Sequence, residues 1–449
     1  MDKFKNIIIG FGKAGKTLAK YLAQHNETVL LIERSKQMYG GTCINVGCLP
    51  SKNLIFNGQR GVDFTTAVNK RGEMTRQLRN KNYHMVADEP LATVWDGSAR
   101  FIDNYVLAVV MSDGTTKKVR GERIFINTGA VPNWPSIPGL EFSQRIFTSK
   151  EAMELKKQPK RLAIIGGGYI GLEFAGMFNS FGTHVTIFDQ HTRLLEREDP
   201  DIATEVVADL TDAGIEIKLA TQLTQVKDNG EKVTLYYQQG DQTNTAEFDA
   251  VLVAVGRRPN VSSLGLENTD IALTNRGAIQ VDDHLRTTVQ NIWALGDVNG
   301  GPMFTYVSLD DFRIIIDQLF GKGDRSTADR MVIPTASFLN PPLANVGLNE
   351  RQAKSAGYDL QTFKLSVKAI PKARVLENQR GLYKVIVDQK THLILGATLY
   401  AAEAHETINL IALAMKAKLP YERLRDMIYT HPTMSEALND LFKTPVVKS

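Results

Sequence analysis

The chain contains two cysteines, Cys43 and Cys48, five positions apart in 449 residues. Chance rarely places two cysteines so close, so they read as a unit. With two thiols and no neighbouring histidine, the pair makes a poor zinc site. In a reducing compartment a lone pair is more often catalytic than structural. An ideal α-helix would hold Cα atoms five residues apart at about 8.6 Å, whereas a disulfide needs roughly 4.4–6.8 Å. The two can therefore bond only where the helix is distorted between them, and Gly47 is the residue that permits it. A strained, partly exposed disulfide is a reducible one, and a staple closing so small a loop stabilises little. The expected chemistry is thiol–disulfide redox exchange. Lys52, a few residues on, is the candidate for a cation beside an electron carrier, with Glu173 as its candidate partner. His431 is the one of eight histidines with an acid, Glu436, at short spacing in a proline-bounded segment. Histidine titrates near neutral pH and carries protons to and from thiolates. From the residues alone, solvated surface roles for Lys52 and Glu173 and a capping role for His431 stay open.

The elements that must position these groups are legible as two repeats. Asn6–Ile9 reads as a strand. Gly10-Phe11-Gly12-Lys13-Ala14-Gly15 follows, then a helix to about Gln24 and a strand ending on Glu33. This is a dinucleotide-binding fingerprint with its flanks. Gly10 permits the tight turn, Gly12 lets the backbone approach a pyrophosphate, and Gly15 allows close helix–strand contact. The helix N-terminus favours the phosphates, and Glu33 accepts from a ribose hydroxyl. The pattern recurs at Arg161–Ile165, Gly166-Gly167-Gly168-Tyr169-Ile170-Gly171, a helix to about Phe181 and a strand ending on Asp189. Two fingerprints mean two dinucleotide sites, most economically one bound flavin dinucleotide and one exchangeable nicotinamide dinucleotide. An acid at Asp189 accepts the ribose 2′-OH and repels a 2′-phosphate, which favours NADH over NADPH; Arg193 nearby works against that preference. Strands ending at Gly129 and Gly256 and a strand ending on Gly296-Asp297 complete this pattern. Beyond about residue 330, short strands precede two helical segments, which reads as a separate α+β domain.

Composition narrows the function classes. The length suggests about three domains at roughly 150 residues each. Hydrophobic residues make up 43% and charged residues 23%, which excludes disorder, collagen and coiled coil as the main architecture. A net charge of +4 is too small to argue for nucleic acid. No run approaches the ~18 apolar residues of a membrane span. The apolar run Ile7-Ile8-Ile9 ends at Gly10, short of the roughly 7–15 residues of a secretory core. The expected compartment is the cytoplasm, with neither nucleic acid nor membrane as a partner.

The stretch Gly40-Gly41-Thr42-Cys43-Ile44-Asn45-Val46-Gly47-Cys48-Leu49-Pro50-Ser51-Lys52 resembles the redox motif of the class I pyridine nucleotide-disulfide oxidoreductases. Both fingerprints, Gly296-Asp297 and His431-Pro432 with Glu436 extend the resemblance over the whole chain. It implies an α/β fold with two Rossmann-like dinucleotide-binding domains and a C-terminal α+β dimerisation domain. FAD binding falls to 1–145 and 265–330, NAD(P) binding to 146–264 and the interface to 331–449. It implies FAD held by Gly10, Gly12, Gly15, Glu33, Thr42, Lys52, Gly129, Gly296, Asp297 and Thr305, and NAD(P)H held by Gly166, Gly168, Tyr169, Gly171, Asp189 and Gly256. Tyr169 gates the nicotinamide pocket and Lys52 pairs with Glu173 beside the flavin. Cys48 faces the flavin and Cys43 is the interchange thiol. His431, oriented by Glu436, comes from the other subunit of a homodimer.

Within this family, Gly10–Thr17, Met38–Cys43, Phe304–Asp311 and Met434–Phe442 look like the branch that resists reactive chlorine by reducing copper(II). That likeness implies Cu(II) as the electron acceptor. Cys43 and Cys48, with His431, are then a transient soft copper site, with His84 and His405 as further candidates. The tail, Lys443 to Ser449, carries no cysteine, which disfavours mercury reduction and excludes a C-terminal redox pair. The rivals are a reductase of lipoamide or a small thiol disulfide, and a flavin-bearing redox sensor.

Overall fold

The computed structural model describes residues 1–446, so the last three residues of the tail lie outside the described residues. The chain divides into two compact units, one of 1–135, 148–158 and 255–329, the other of 136–147, 159–254 and 330 onward. Among the described residues no helix is long and apolar enough to cross a membrane.

The first unit is built on a six-stranded sheet. Asp2–Ile9 lies parallel between Val29–Glu33 and Thr116–Ile126, and Ile292–Ala294 adds beyond the latter. Ile7, Ile8, Leu30 and Leu31 are buried, as the unbroken apolar runs of a parallel sheet covered on both faces require. Helix α1 (Lys13–Gln24) follows the first strand as the glycines predict. Leu18, Ala19 and Leu22 on α1 pack with Ile8 and Leu31 in one core. Two short helices, α2 (Thr42–Asn45) and α3 (Cys48–Gln59), carry the cysteines, and α4 (Phe64–Ala87) follows.

The second unit repeats the theme. His184–Phe188, Arg161–Ile165 and Ala250–Val253 are central in a five-stranded parallel sheet. Helix α5 (Tyr169–Ser180) follows its glycines. A three-stranded antiparallel excursion covers 221–248. The segment from residue 335 forms a five-stranded antiparallel sheet backed by the helix Ala404–Lys416. The two Rossmann-like sheets and the C-terminal α+β sheet are the predicted fold class.

One buried cation ties the second unit together. Lys384 is 3% exposed and pairs with Asp199 at 2.8 Å, Asp201 at 3.1 Å and Glu350 at 2.8 Å. Hydrogen bonds from Lys354 and then Lys384 hold the Glu350 carboxyl down to about 2. A carboxyl depressed in this way contributes stability above its ordinary value near 4.5 and loses it as the pH falls toward 2. Lys384→Met leaves the buried Asp199 carboxylate without its cation, while Lys354 still holds Glu350 and Lys364 still holds Asp201, so stability at pH 7 falls by about 3 kcal/mol. The penalty shrinks as the carboxyls protonate. Thermal unfolding at pH 7 and pH 4 checks this, and an equal loss at both pH values would count against it.

Candidate functional site

The redox motif breaks the helix where the cysteine spacing demands. Helix α2 ends at Asn45, the backbone leaves helical geometry at Val46 (φ −142°, ψ 12°) and Gly47 (φ −133°, ψ −114°), and α3 restarts at Cys48. Both cysteines are free thiols, Cys43 half-buried and Cys48 exposed. The Cys43 thiol donates to Cys48, which holds Cys48 down to about 6. Thr305 Oγ1, 3.4 Å from the Cys48 sulfur, and the Lys52 ammonium act in the same direction. The same hydrogen bond pushes Cys43 up, because its proton is held by its partner. One proton is shared by two sulfurs, so the pair titrates as a unit. Its first thiolate is at Cys48.

The loop is braced from its own unit. Asn45 Nδ2 donates to the carbonyls of Tyr39 and Gly41, both at 2.9 Å, and its Oδ1 accepts from Arg79 Nε on α4 at 2.9 Å. Asp297 is pushed up by burial, against the pull of Arg257. Arg257 donates to the Ala130 carbonyl at 2.6 Å and senses both Asp297 and Cys48. Arg257 carries no assigned role in the sequence reading. Its neighbours lie far away in the chain, and only the run Gly256-Arg257-Arg258-Pro259 marks it.

The two fingerprints are built alike. Glu33 Oε2 accepts from Phe11 N–H at 3.0 Å, and Asp189 Oδ2 accepts from Gly167 N–H at 2.6 Å. In each case the acid at the end of the second strand grips the amide between the first two glycines. Glu33 also accepts from Ser35 N–H at 3.2 Å, and burial pushes its carboxyl up. Asp189 Oδ1 accepts from His191 N–H at 2.9 Å and meets its Nδ1 at 2.6 Å. Gly10 and Gly166 take the left-handed φ values of +104° and +106° that the tight turn requires. Both α1 and α5 start at a glycine with no side chain capping the first turn. The amides at these N-termini suit a diphosphate, so the residues present fit one dinucleotide at each fingerprint.

The remaining predicted residues divide between the units. Thr42 opens α2, and Gly129, Gly256, Gly296 and Asp297 lie in the first unit with the cysteines and Lys52. Gly256 thus joins the unit of the first fingerprint; its carbonyl accepts from Asn133 N–H at 2.9 Å. Glu173 belongs to the second unit, where Oε1 accepts from Phe338 N–H at 2.8 Å. Tyr169 is 42% exposed and donates to Glu198 Oε1 at 2.5 Å. Glu198, which also accepts from Asn345 Nδ2 at 3.2 Å, has no signal in the sequence. His431, 70% exposed, holds Glu436 Oε2 through Nδ1 at 2.8 Å, and Glu436 Oε1 accepts from Thr433 N–H at 3.2 Å. Among the described residues no group of three or more His, Cys, Asp or Glu is arranged to hold a metal ion. His84 pairs with Asp88 at 3.0 Å, and the His405 ring meets Phe338 tilted at 46° with centroids 5.2 Å apart.

Residues 4–311 match the pyridine nucleotide-disulphide oxidoreductase family, and residues 333–442 match its dimerisation domain. The chain belongs to this family. As an oxidoreductase of this family it uses FAD and a pyridine nucleotide. It is 48% identical over 442 residues to the probable pyridine nucleotide-disulfide oxidoreductase RclA of Escherichia coli (strain K12), covering 98% of this chain and 99% of that one. Its fold matches the solved Cu(II) complex of the HOCl-induced flavoprotein disulfide reductase RclA from Escherichia coli with a TM-score of 0.95 at 48% identity, over 98% of this chain and 99% of that one. The Cu(II) complex of the C43S mutant of the same protein matches with a TM-score of 0.95 at 47% identity, over the same 98% and 99%.

Proposed function

We propose that this oxidoreductase passes electrons from NADH through FAD and the Cys43–Cys48 pair to Cu(II), in defence against reactive chlorine. The observation that carries the reading is the full-length likeness to a flavoprotein solved as a Cu(II) complex. The polarised thiol pair supports it. FAD, when bound, takes a hydride equivalent from the nicotinamide and hands electrons to the disulfide. The chain's own residues do the rest. Gly10, Gly12, Gly15, Glu33, Thr42, Gly129, Gly296, Asp297 and Thr305 hold FAD. Gly166, Gly168, Gly171 and Asp189 hold the nicotinamide dinucleotide, with Tyr169 as gate. The negative charge of Asp189 at the end of the second strand repels a 2′-phosphate and so supports NADH. Lys52 brings a cation to the flavin. Cys48 faces the flavin, and Cys43 passes the electrons outward. The division is 1–145 with 265–330 for FAD, 146–264 for the nicotinamide dinucleotide and 331–449 for a homodimer interface.

His431 serves the site of the partner subunit in this reading. Glu436 orients its ring through Nδ1, leaving Nε2 to exchange protons with a thiolate. His431→Ala lowers steady-state turnover by about 100-fold, while NADH still bleaches the flavin at the unaltered rate. Stopped-flow and steady-state assays on the same protein separate the two. Slowed bleaching would place His431 elsewhere.

The C43S mutant of the relative was also solved with Cu(II). This supports a copper site that survives without the Cys43 sulfur. The deciding experiment is anaerobic NADH oxidation with Cu(II), reading Cu(I) with a cuprous-specific chelator, beside oxidised lipoamide and glutathione. Copper-dependent turnover with inert disulfides is expected. Turnover of lipoamide or glutathione with inert copper would instead make this a disulfide reductase of small thiols.

A further inference from the structure

Lys16 is a buried cation with no role in the scheme above. It follows the first fingerprint directly on α1 and is 4% exposed. Its Nζ donates to the Gly40 carbonyl at 3.4 Å and to Asn82 Oδ1 on α4. Both acceptors are neutral, and among the described residues no carboxylate lies within ion-pair reach of it. A buried ammonium without a counter-ion is costly. The charges it senses are another cation, Lys13, and the Cys43 sulfur. Burial first, and then Lys13, hold it down to about 8, so it stays charged at neutral pH.

The Gly40 contact ties this charge to the redox loop. Gly40 and Gly41 form the turn that delivers Thr42 and Cys43, with φ values of +96° and +77°. A Cβ on Gly40 would sit 2.9 Å from Ile44 and 3.3 Å from Asn82. The turn is thus clamped between Ile44, Asn82 and the Lys16 ammonium.

We infer that Lys16 is a positioning residue of the redox centre: it fixes the turn that presents Cys43, and its charge favours the reduced, thiolate-bearing pair over the disulfide. The inference rests on reading Cys43 and Cys48 as a redox pair. In the disulfide neither sulfur carries charge, and the ammonium is uncompensated. On reduction by dithiothreitol the Cys43–Cys48 bond breaks and the reductant's two thiols close into its cyclic disulfide. Of their two protons, one stays on the pair and one goes to solvent. The share of that negative charge carried by the Cys43 sulfur is what Lys16 stabilises.

The test equilibrates the full-length, FAD-loaded protein anaerobically in dithiothreitol redox buffers at pH 7. Free thiols are then trapped with a maleimide–polyethylene glycol that retards the protein on a gel. Lys16→Met is expected to move the equilibrium constant about tenfold toward the disulfide, about 30 mV for a two-electron couple. Asn82→Asp is the same size and hands Lys16 a carboxylate that competes with the sulfurs; it is expected to move the constant the same way, and it answers the question even where Lys16→Met fails to fold. An unchanged constant in the variants with FAD bound overturns the inference. Loss of FAD with an unchanged constant also overturns it, and assigns Lys16 to the cofactor. A wild-type pair that never forms the disulfide overturns both this inference and the redox reading beneath it.

Discussion

In a Cys43→Ser variant, disulfide-dependent turnover falls by roughly 10³-fold or more, the scale of losing a covalent nucleophile, while FAD stays bound. The reason lies in the division of labour between the two sulfurs. Cys48 is the thiol held down to about 6, by the Cys43 hydrogen bond first and then by Thr305 and Lys52. Serine at position 43 still donates a hydrogen bond to that sulfur, and the volume change is small, so the fold and the cofactor cradle persist. The fingerprint glycines, Glu33 and Asn127 make no use of the Cys43 sulfur. What disappears is the second sulfur of the S–S bond, without which no disulfide can form or be reduced. Flavin absorbance measures cofactor content, and NADH oxidation with each acceptor measures turnover. Activity equal to wild type would mean that the flavin alone delivers the electrons and that the thiol pair is a bystander.

Much of this was readable from local pattern. Glycine spacing, the apolar strands before it and the acid after it are short-range features, and both strand–turn–helix–strand units appear within a residue or two of their predicted ends, save that the first strand starts at Asp2 rather than Asn6. The helix break at Val46-Gly47 follows from spacing alone, because five helical residues cannot bring two sulfurs together. What stayed hidden depends on residues far apart. Asn127 accepts from Gly15 N–H at 3.0 Å and donates to the Leu295 carbonyl at 2.6 Å, which joins three distant segments behind the first cradle. Arg257 and Glu198 take their meaning from such partners too. Lys16 was invisible for a different reason: a lysine in a helix is by default a solvated surface charge, and only the packing of α4 and the Gly40 turn buries it. The antiparallel excursion at 221–248 carried no motif, so nothing in its sequence linked it to chemistry.

The two cradles can be separated by one methyl group each. A Cβ at Gly171 would lie 2.0 Å from the Gly166 carbonyl oxygen and 3.2 Å from its carbon. That neighbour is backbone, so no rotamer change relieves it, and α5 must lift from its strand, with overpacking costs of about 1–3 kcal/mol or more. The lift pulls the N-terminal amides of α5 away from the diphosphate they serve. Gly171→Ala is therefore expected to cut the rate at which NADH bleaches the flavin by about 100-fold or more. FAD content is unchanged, because the first fingerprint belongs to the other compact unit. Gly15→Ala is the mirror experiment. Its Cβ would meet the Gly10 carbonyl oxygen at 2.5 Å and Asn127 Oδ1 at 3.0 Å, and Asn127 is already bound to the Gly15 amide. Here the expected loss is FAD itself, seen as colourless protein on purification, with a second unit still able to bind NADH in a calorimetric titration. The crossed result follows from giving FAD to the first fingerprint and the nicotinamide dinucleotide to the second. A Gly171→Ala protein that loses its flavin, beside a Gly15→Ala protein that keeps it, would reverse that assignment. It would also move the hydride donor to the cysteine-bearing unit.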